Sequence, residues 1–167
     1  MIIYEEILRE FQENKVKYVI VGGIAYNLLG GLRSTADLDI LVEMSDDNLK
    51  ILVNILKKYG FAAKQPVDPI GIADKKTRED WINNKHMKAF NFYKGQGLQE
   101  VDIIIDSPVS YEAASRDINF VTVGDIRLPV VSINNLLEMK KNTNRQIDMV
   151  DVGELEKIKK LKEENDF

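Results

Sequence analysis

Val16-Lys17-Tyr18-Val19-Ile20-Val21-Gly22-Gly23, followed by Ile24 to Leu29, Gly30-Gly31 and then Thr35-Ala36-Asp37-Leu38-Asp39-Ile40-Leu41-Val42, is the stretch on which the fold turns. Its first part is an apolar run of β-branched and aromatic residues, which reads as a buried strand closed by a glycine pair. Ile24 to Leu29 has no helix breaker and predicts a short helix, stopped by Gly30-Gly31. Residues 35–42 alternate, so Ala36, Leu38, Ile40 and Val42 share one strand face, and Asp37 and Asp39 share the other.

Outward from this unit the pattern continues as strands with helices. Ile3, Ile7, Leu8 and Phe11 recur at helical spacing before the first strand. Ser45-Asp46-Asp47 predicts a capped start for a helix through Lys58, with Leu49, Leu52, Val53 and Leu56 on one side. Gly60 ends it, and Phe61-Ala62-Ala63 begins an extended piece. Residues 64–86 are polar and read as a loop with one helical turn near Trp81. Two strands, 87–93 and 100–105, flank Lys94-Gly95-Gln96-Gly97, and a second hairpin turns at Gly124-Asp125. Ser132 caps a helix with Leu136, Leu137 and Met139, and a charged helix runs from about Ile147 to the end. The expected fold class is α/β: a mixed sheet with flanking helices in residues 1–131, and a helical C-terminal extension in 132–167 packed on it.

Composition narrows the chemistry. The 167 residues include 44% hydrophobic side chains, enough for one packed core. With no cysteine, disulfides, thiolate metal sites and cysteine nucleophiles are excluded together. A single histidine, His86, leaves little room for a His-based metal cluster or a Ser-His triad, so any metal must be held mainly by oxygen. No apolar run reaches the ~20 residues of a membrane span, and Met1-Ile2-Ile3-Tyr4-Glu5-Glu6 lacks a basic signal region, so a cytoplasmic location is expected. The net charge of −4 argues against a broad nucleic-acid surface. The basic residues around Lys75, Lys76, Arg78, Lys85 and Lys88 read as a solvated face.

A glycine pair at a strand-to-helix turn lets backbone N–H groups approach a phosphate, although most such pairs are only tight turns. Two carboxylates on one strand face repel each other unless solvated or neutralised, and their natural partner is a hard divalent cation. Alone, Asp-x-Asp is more simply a solvent-facing strand. In combination, Gly22-Gly23, a helix, Asp37-x-Asp39 and the later strand-borne Asp102 resemble the polymerase-β-type nucleotidyltransferase superfamily. The likeness runs from about Val16 to Leu155. Its tail, Ser132 to Lys140 and then Arg145 to Asp151, resembles a branch holding minimal nucleotidyltransferases, lincosamide-type drug nucleotidyltransferases and abortive-infection (type IV) toxins.

The resemblance implies a set of roles. Gly22 and Gly23 would cradle a triphosphate, and Arg33 would contact phosphate or pair with an aspartate to hold its loop. Asp37, Asp39 and Asp102 would hold Mg2+ or Mn2+, with Asp102 also helping to activate the acceptor hydroxyl. Asp106 lies on the same face, beside the turn at Ser107-Pro108. Lys140 and Asp148 match functional positions of the toxin branch, with Lys141 an equal candidate by chemistry and a solvated helix the alternative. Lys140 is expected to face the nucleotide phosphates, and Lys140→Ala to leave the fold intact. The implied activity moves an NMP from an NTP to an acceptor hydroxyl with release of pyrophosphate. The acceptor is a small molecule, a tRNA end or a protein, and the toxin branch adds a small helical partner protein. The alternative is a non-catalytic nucleotide-binding or antitoxin-like module of the same fold. Trp81 reads as core or lid packing, and His86 has no motif.

Overall fold

A computed structural model describes residues 3–165. The elements in chain order are α1 (Glu5–Glu13), β1 (Tyr18–Val21), α2 (Gly22–Leu28), β2 (Asp37–Val42), α3 (Asp46–Lys58), β3 (Ala62–Ala63), a 3-10 turn (Pro69–Ala73) and α4 (Lys75–Asn83). They continue with β4 (Ala89–Lys94), β5 (Gln99–Ile104), α5 (Tyr111–Ser115), β6 (Ile118–Val123), β7 (Ile126–Val131), α6 (Ile133–Lys141) and α7 (Gln146–Asn165). The expected last turn of α7 at Asp166 and Phe167, and the first two residues of the N-terminal reading, lie outside the described residues.

The seven strands form one mixed sheet in the order β3-β4-β5-β2-β1-β7-β6, an α/β fold. β1 lies antiparallel to β2 and parallel to β7, while β2 lies parallel to β5. The period-2 reading holds within β2, where Leu38, Ile40 and Val42 are buried and the aspartates point to the opposite face, but the strand starts at Asp37 rather than Thr35, and Ala36 is exposed ahead of it. β1 is buried along its whole length, as its continuous apolar run requires of a central strand. Leu136, Leu137 and Leu155 of the two C-terminal helices join the same apolar core as β1 and β2. No helix among the described residues is long and apolar enough to cross a membrane.

Three local features differ from the sequence expectation. α2 begins at Gly22 rather than Ile24, so the glycine pair is the helix's first turn. The segment expected as a loop near Trp81 carries a 3-10 turn and then α4, whose cap is Asp74, accepting from the Thr77 N–H at 2.9 Å. Nearly all of α4 is polar; only Arg78 and Trp81 are buried, so it has no apolar stripe to read. Trp81 stacks on Phe90 with centroids 5.5 Å apart, and buried Arg78 donates to the carbonyls of Ile72 and Met44. The third feature is α5, a short Ser110-capped helix ahead of β6, which starts at Ile118.

Candidate active site

β1 and β2 run antiparallel, so the end of one meets the start of the other. Val21 is the register partner of Asp39, and the turn at Gly22 therefore opens directly beside the Asp39 carboxylate. Gly22 has φ +70°, and a β-carbon there would run into that carboxylate. Only glycine satisfies both the backbone angle and the approach. Gly23 is buried against Thr35, whose Oγ1 would lie 2.7 Å from any β-carbon at that position. The second glycine thus fits α2 onto the segment entering β2.

The parallel pairing of β2 with β5 sets Asp37 opposite Glu100 and Asp39 opposite Asp102. Four carboxylates consequently share one face of two adjacent strands. Oxygens of Asp37, Glu100 and Asp102 lie within 4.8 Å of one another. Burial, followed by the negative charges of Asp102 and Asp37, pushes the Asp39 carboxyl up to about 7. Asp37 is raised as well, by burial first and then by Glu100 and Asp102. The same repulsion that raises these carboxyls would be relieved by a divalent cation bound to their ionised oxygens, so these side chains fit such an ion. Asp37 and Asp102 belong both to this clustered trio and to the expected metal set. Glu100 replaces Asp39 in the trio, although Lys64 also pairs with it at 2.5 Å.

Three neighbours that the sequence reading passed over hold the carboxylates in place. Asn91, cross-strand from Asp102, donates from Nδ2 to Asp102 Oδ1 at 2.7 Å. Gln65 fixes the orientation of that amide, donating to Asn91 Oδ1 at 2.8 Å and accepting the Asn91 backbone N–H at 3.2 Å. Tyr4 staples the strands: its hydroxyl accepts the Glu100 N–H at 3.1 Å and donates to the Ala36 carbonyl. An isolated tyrosine in a first helix carries no sequence signal for this. A polar residue cross-strand from the third acid could have flagged Asn91 once the register was known.

A cleft of about 430 Å3 opens beside Asp39 and Gly22, and Lys140, Thr143, Arg145 and Asp148 form a wall of it. Asp106 and Lys88 also line it. The C-terminal helices thus pack back toward the catalytic sheet, and Lys140 rather than Lys141 reaches this wall. Lys141 pairs with Glu156 at 3.3 Å, and both side chains are about half exposed. Lys140 is 5% exposed and donates to Asp148 at 3.2 Å and Asp151 at 2.9 Å. Burial of Asp148 pushes its carboxyl up, but donors on Arg145, Thr143 and Lys140 outweigh this and hold it below the usual range. Arg145, 69% exposed, binds Asp148 through Nε at 2.7 Å, and its charge lowers Asp39. Arg33 does not line this cleft; its guanidinium pairs with Asp151 and borders a separate groove beside α7. A larger groove, about 590 Å3 along α1, holds none of these side chains; of the charges that border it, Glu5 pairs with Arg9, Arg9 also with Asp125, and Glu10 with Lys58.

A sequence search finds no significant match among curated proteins. In structure the chain is similar to a lincosamide antibiotic adenylyltransferase solved with lincomycin (TM-score 0.59, 17% identity, 91% of this chain and 93% of that one). It is also similar to ANT(2")-Ia solved in complex with adenylyl-2"-tobramycin (TM-score 0.55, 13% identity, 94% and 91%). A third likeness is to a protein from Thermotoga maritima described as a nucleotidyltransferase (TM-score 0.54, 16% identity, 96% and 89%). These likenesses concern the fold. Residues 4–155 match the aminoglycoside-2''-adenylyltransferase family profile, and the chain therefore belongs to that family, as a nucleotidyltransferase of the polymerase-β-type superfamily.

Proposed function

We propose that this nucleotidyltransferase moves AMP from ATP to a hydroxyl of a small, amine-bearing molecule, with a divalent cation on Asp37, Asp39 and Asp102. The observation that carries the reading is the direct abutment of the Gly22 turn on the carboxylates of β2 and β5. Phosphate-binding backbone and cation-binding oxygens then serve one triphosphate. The cation would neutralise phosphate charge as it develops. Gly22 and Gly23 supply N–H groups from the first turn of α2, on the positive end of its dipole. The acceptor oxygen forms a bond to the α-phosphorus, and the bond from that phosphorus to the bridging oxygen of the leaving pyrophosphate breaks. Asp102 takes the hydroxyl proton, a role supported by the Asn91 amide that orients its carboxylate through one oxygen and leaves the other available. Lys140 supplies positive charge to the phosphate side from the opposite wall, and Arg33 supports the nucleotide through the loop that enters β2. The carboxylate of Asp106, which lines the cleft, favours a cationic acceptor. The names of the family and of two structural neighbours point the same way.

The test is incubation with Mg2+ and each α-labelled NTP, against aminoglycosides, lincosamides, tRNA and cell protein in separate reactions. The expected result is label from ATP on an amino-sugar acceptor, with stoichiometric pyrophosphate and none from the Asp39→Asn variant. Label on tRNA or protein alone would replace the small-molecule acceptor with that class. ATP binding without transfer to any acceptor would favour the non-catalytic module.

A further inference from the structure

We propose that Asp151 is a positioning residue for nucleotidyl transfer, a single carboxylate that locks the loop entering β2 to the wall of the cleft formed by the C-terminal helices. The proposal rests on the transfer reading above and concerns a residue outside the cleft. Asp151 sits on α7 and is 2% exposed. One of its oxygens, Oδ2, accepts from both Lys140 Nζ, at 2.9 Å, and Arg33 Nη1. Lys140 belongs to α6, whereas Arg33 lies in the loop between α2 and β2. That loop is pinned a second time, at the same residue. The Asn27 side chain accepts the Arg33 N–H at 3.0 Å and donates to the Arg33 carbonyl at 2.8 Å.

The loop holds both ends of the site. It leaves the helix that starts at Gly22, carries Thr35 against Gly23, and enters β2 at Asp37. On the other side, Lys140 also donates to Asp148, which holds Arg145 and Thr143 on the cleft wall. Asp151 is thus the joint between the phosphate turn with its carboxylates and the cationic wall facing them. Charges in such a place interact strongly, and removing Asp151 takes the ion-pair partner from Arg33 and leaves Lys140 with Asp148 alone. Loss of the joint should release the loop and the 142–145 turn together, and misplacement by about an ångström is costly for in-line transfer.

The experiment compares the parent with Asp151→Asn, Arg33→Met and the double variant, at a temperature where all remain folded. Steady-state kinetics with varied ATP and amide hydrogen exchange are measured on each. The expected outcome is a fall of at least tenfold in kcat/KM for ATP in each single variant. The double variant should be little worse than either, because both remove one joint. Exchange should rise at residues 30–36 in both single variants and also at 142–146 in Asp151→Asn, which takes a partner from Lys140 as well, and it should stay unchanged in β4 and β5. Folded single variants with parental kinetics would overturn the proposal, as would loosening of only one of the two segments in Asp151→Asn. A parent that transfers no nucleotide to any acceptor would instead sink the transfer reading, and the role of Asp151 with it. If Asp151→Asn does not fold, Arg33→Met alone carries the test, since Lys140 then still pairs with Asp151 and Asp148.

Discussion

The α-carbon of Gly22 rests against the carboxylate of Asp39, leaving no room for a β-carbon between the turn that opens α2 and the acid beside it. Gly22→Ala should therefore strain the backbone at φ +70° and push Asp39 aside. The backbone contribution alone is about 1–2 kcal/mol. Transfer should fall by two orders of magnitude or more, since the displaced side chain is one of the carboxylates proposed to hold the cation. Urea unfolding and ATP turnover on the same preparation check this. Parental turnover in a merely destabilised protein would show that the glycine serves the turn alone. Gly23→Val meets Thr35 first, so its chief cost should appear in stability.

Asp39 gives a pH dependence that can be read without an acceptor. Its carboxyl is held up to about 7, above the ordinary value of 3.8. The folded state therefore binds this proton more tightly than the unfolded chain does. The resulting stabilisation is full below about pH 4 and is lost as pH rises toward and through 7. The melting temperature of the metal-free protein should fall over that window, and Asp39→Asn should flatten the fall. Mg2+ should reverse the trend, raising the melting temperature most above pH 7, where the carboxylates are ionised. Equal Mg2+ stabilisation at pH 5 and pH 8 would dissociate the ion from these acids.

The sequence made part of this site legible and hid the rest for definable reasons. Val16 to Val42 could be read because strand, turn and strand are local, and Asp37 and Asp39 declare a shared face through period-2 spacing alone. Glu100 could not, because its place opposite Asp37 depends on the parallel register of β2 and β5, set by sheet assembly across more than sixty residues. Asn91 reaches Asp102 through a second non-local pairing of the same kind. α4 was hidden because its burial rests on Trp81 and the aliphatic stem of Arg78 rather than on an apolar stripe. Lys140 looked like one of two interchangeable lysines; only the packing of α6 on α7 separates it from Lys141.

The third acid can be identified by comparing Asp102→Asn, Asp106→Asn and Asn91→Leu. Asp102 faces Asp39 across two paired strands, whereas Asp106 follows β5 in the segment before Pro108. Asp102→Asn should remove transfer to the assay limit, and Asp106→Asn should cost less than tenfold. Asn91→Leu removes only the hydrogen bond that aims Asp102, so kcat should drop about tenfold, or 1.4 kcal/mol, with ATP affinity little changed. Greater damage from Asp106→Asn would move the acid role to that residue.

Lys140 separates a solvated helix from a cleft wall most sharply. The sequence expectation for Lys140→Ala is a loss of at least tenfold in binding or turnover with the fold intact, as an exposed lysine would allow. The structure adds a stability cost, because Lys140 is buried between Asp148 and Asp151. Removing the shared cation from such a group is worth about 3–5 kcal/mol. At roughly 2–4 °C per kcal/mol for a chain of this size, that is a drop of roughly 10 °C in melting temperature. Arg33 and Arg145 remain to hold one aspartate each, which places the expected value at the lower end of that range. Lys159→Ala, on the outer part of α7, should change neither stability nor turnover. Calorimetry and ATP kinetics on the three proteins divide the possibilities. A large stability loss with parental kinetics in the folded fraction would make Lys140 purely a structural cation. A kinetic loss without destabilisation would mean that its ion pairs contribute little and that its charge acts on the nucleotide alone. Both losses together are the expected result, because the same ammonium group neutralises buried carboxylates and borders the cleft.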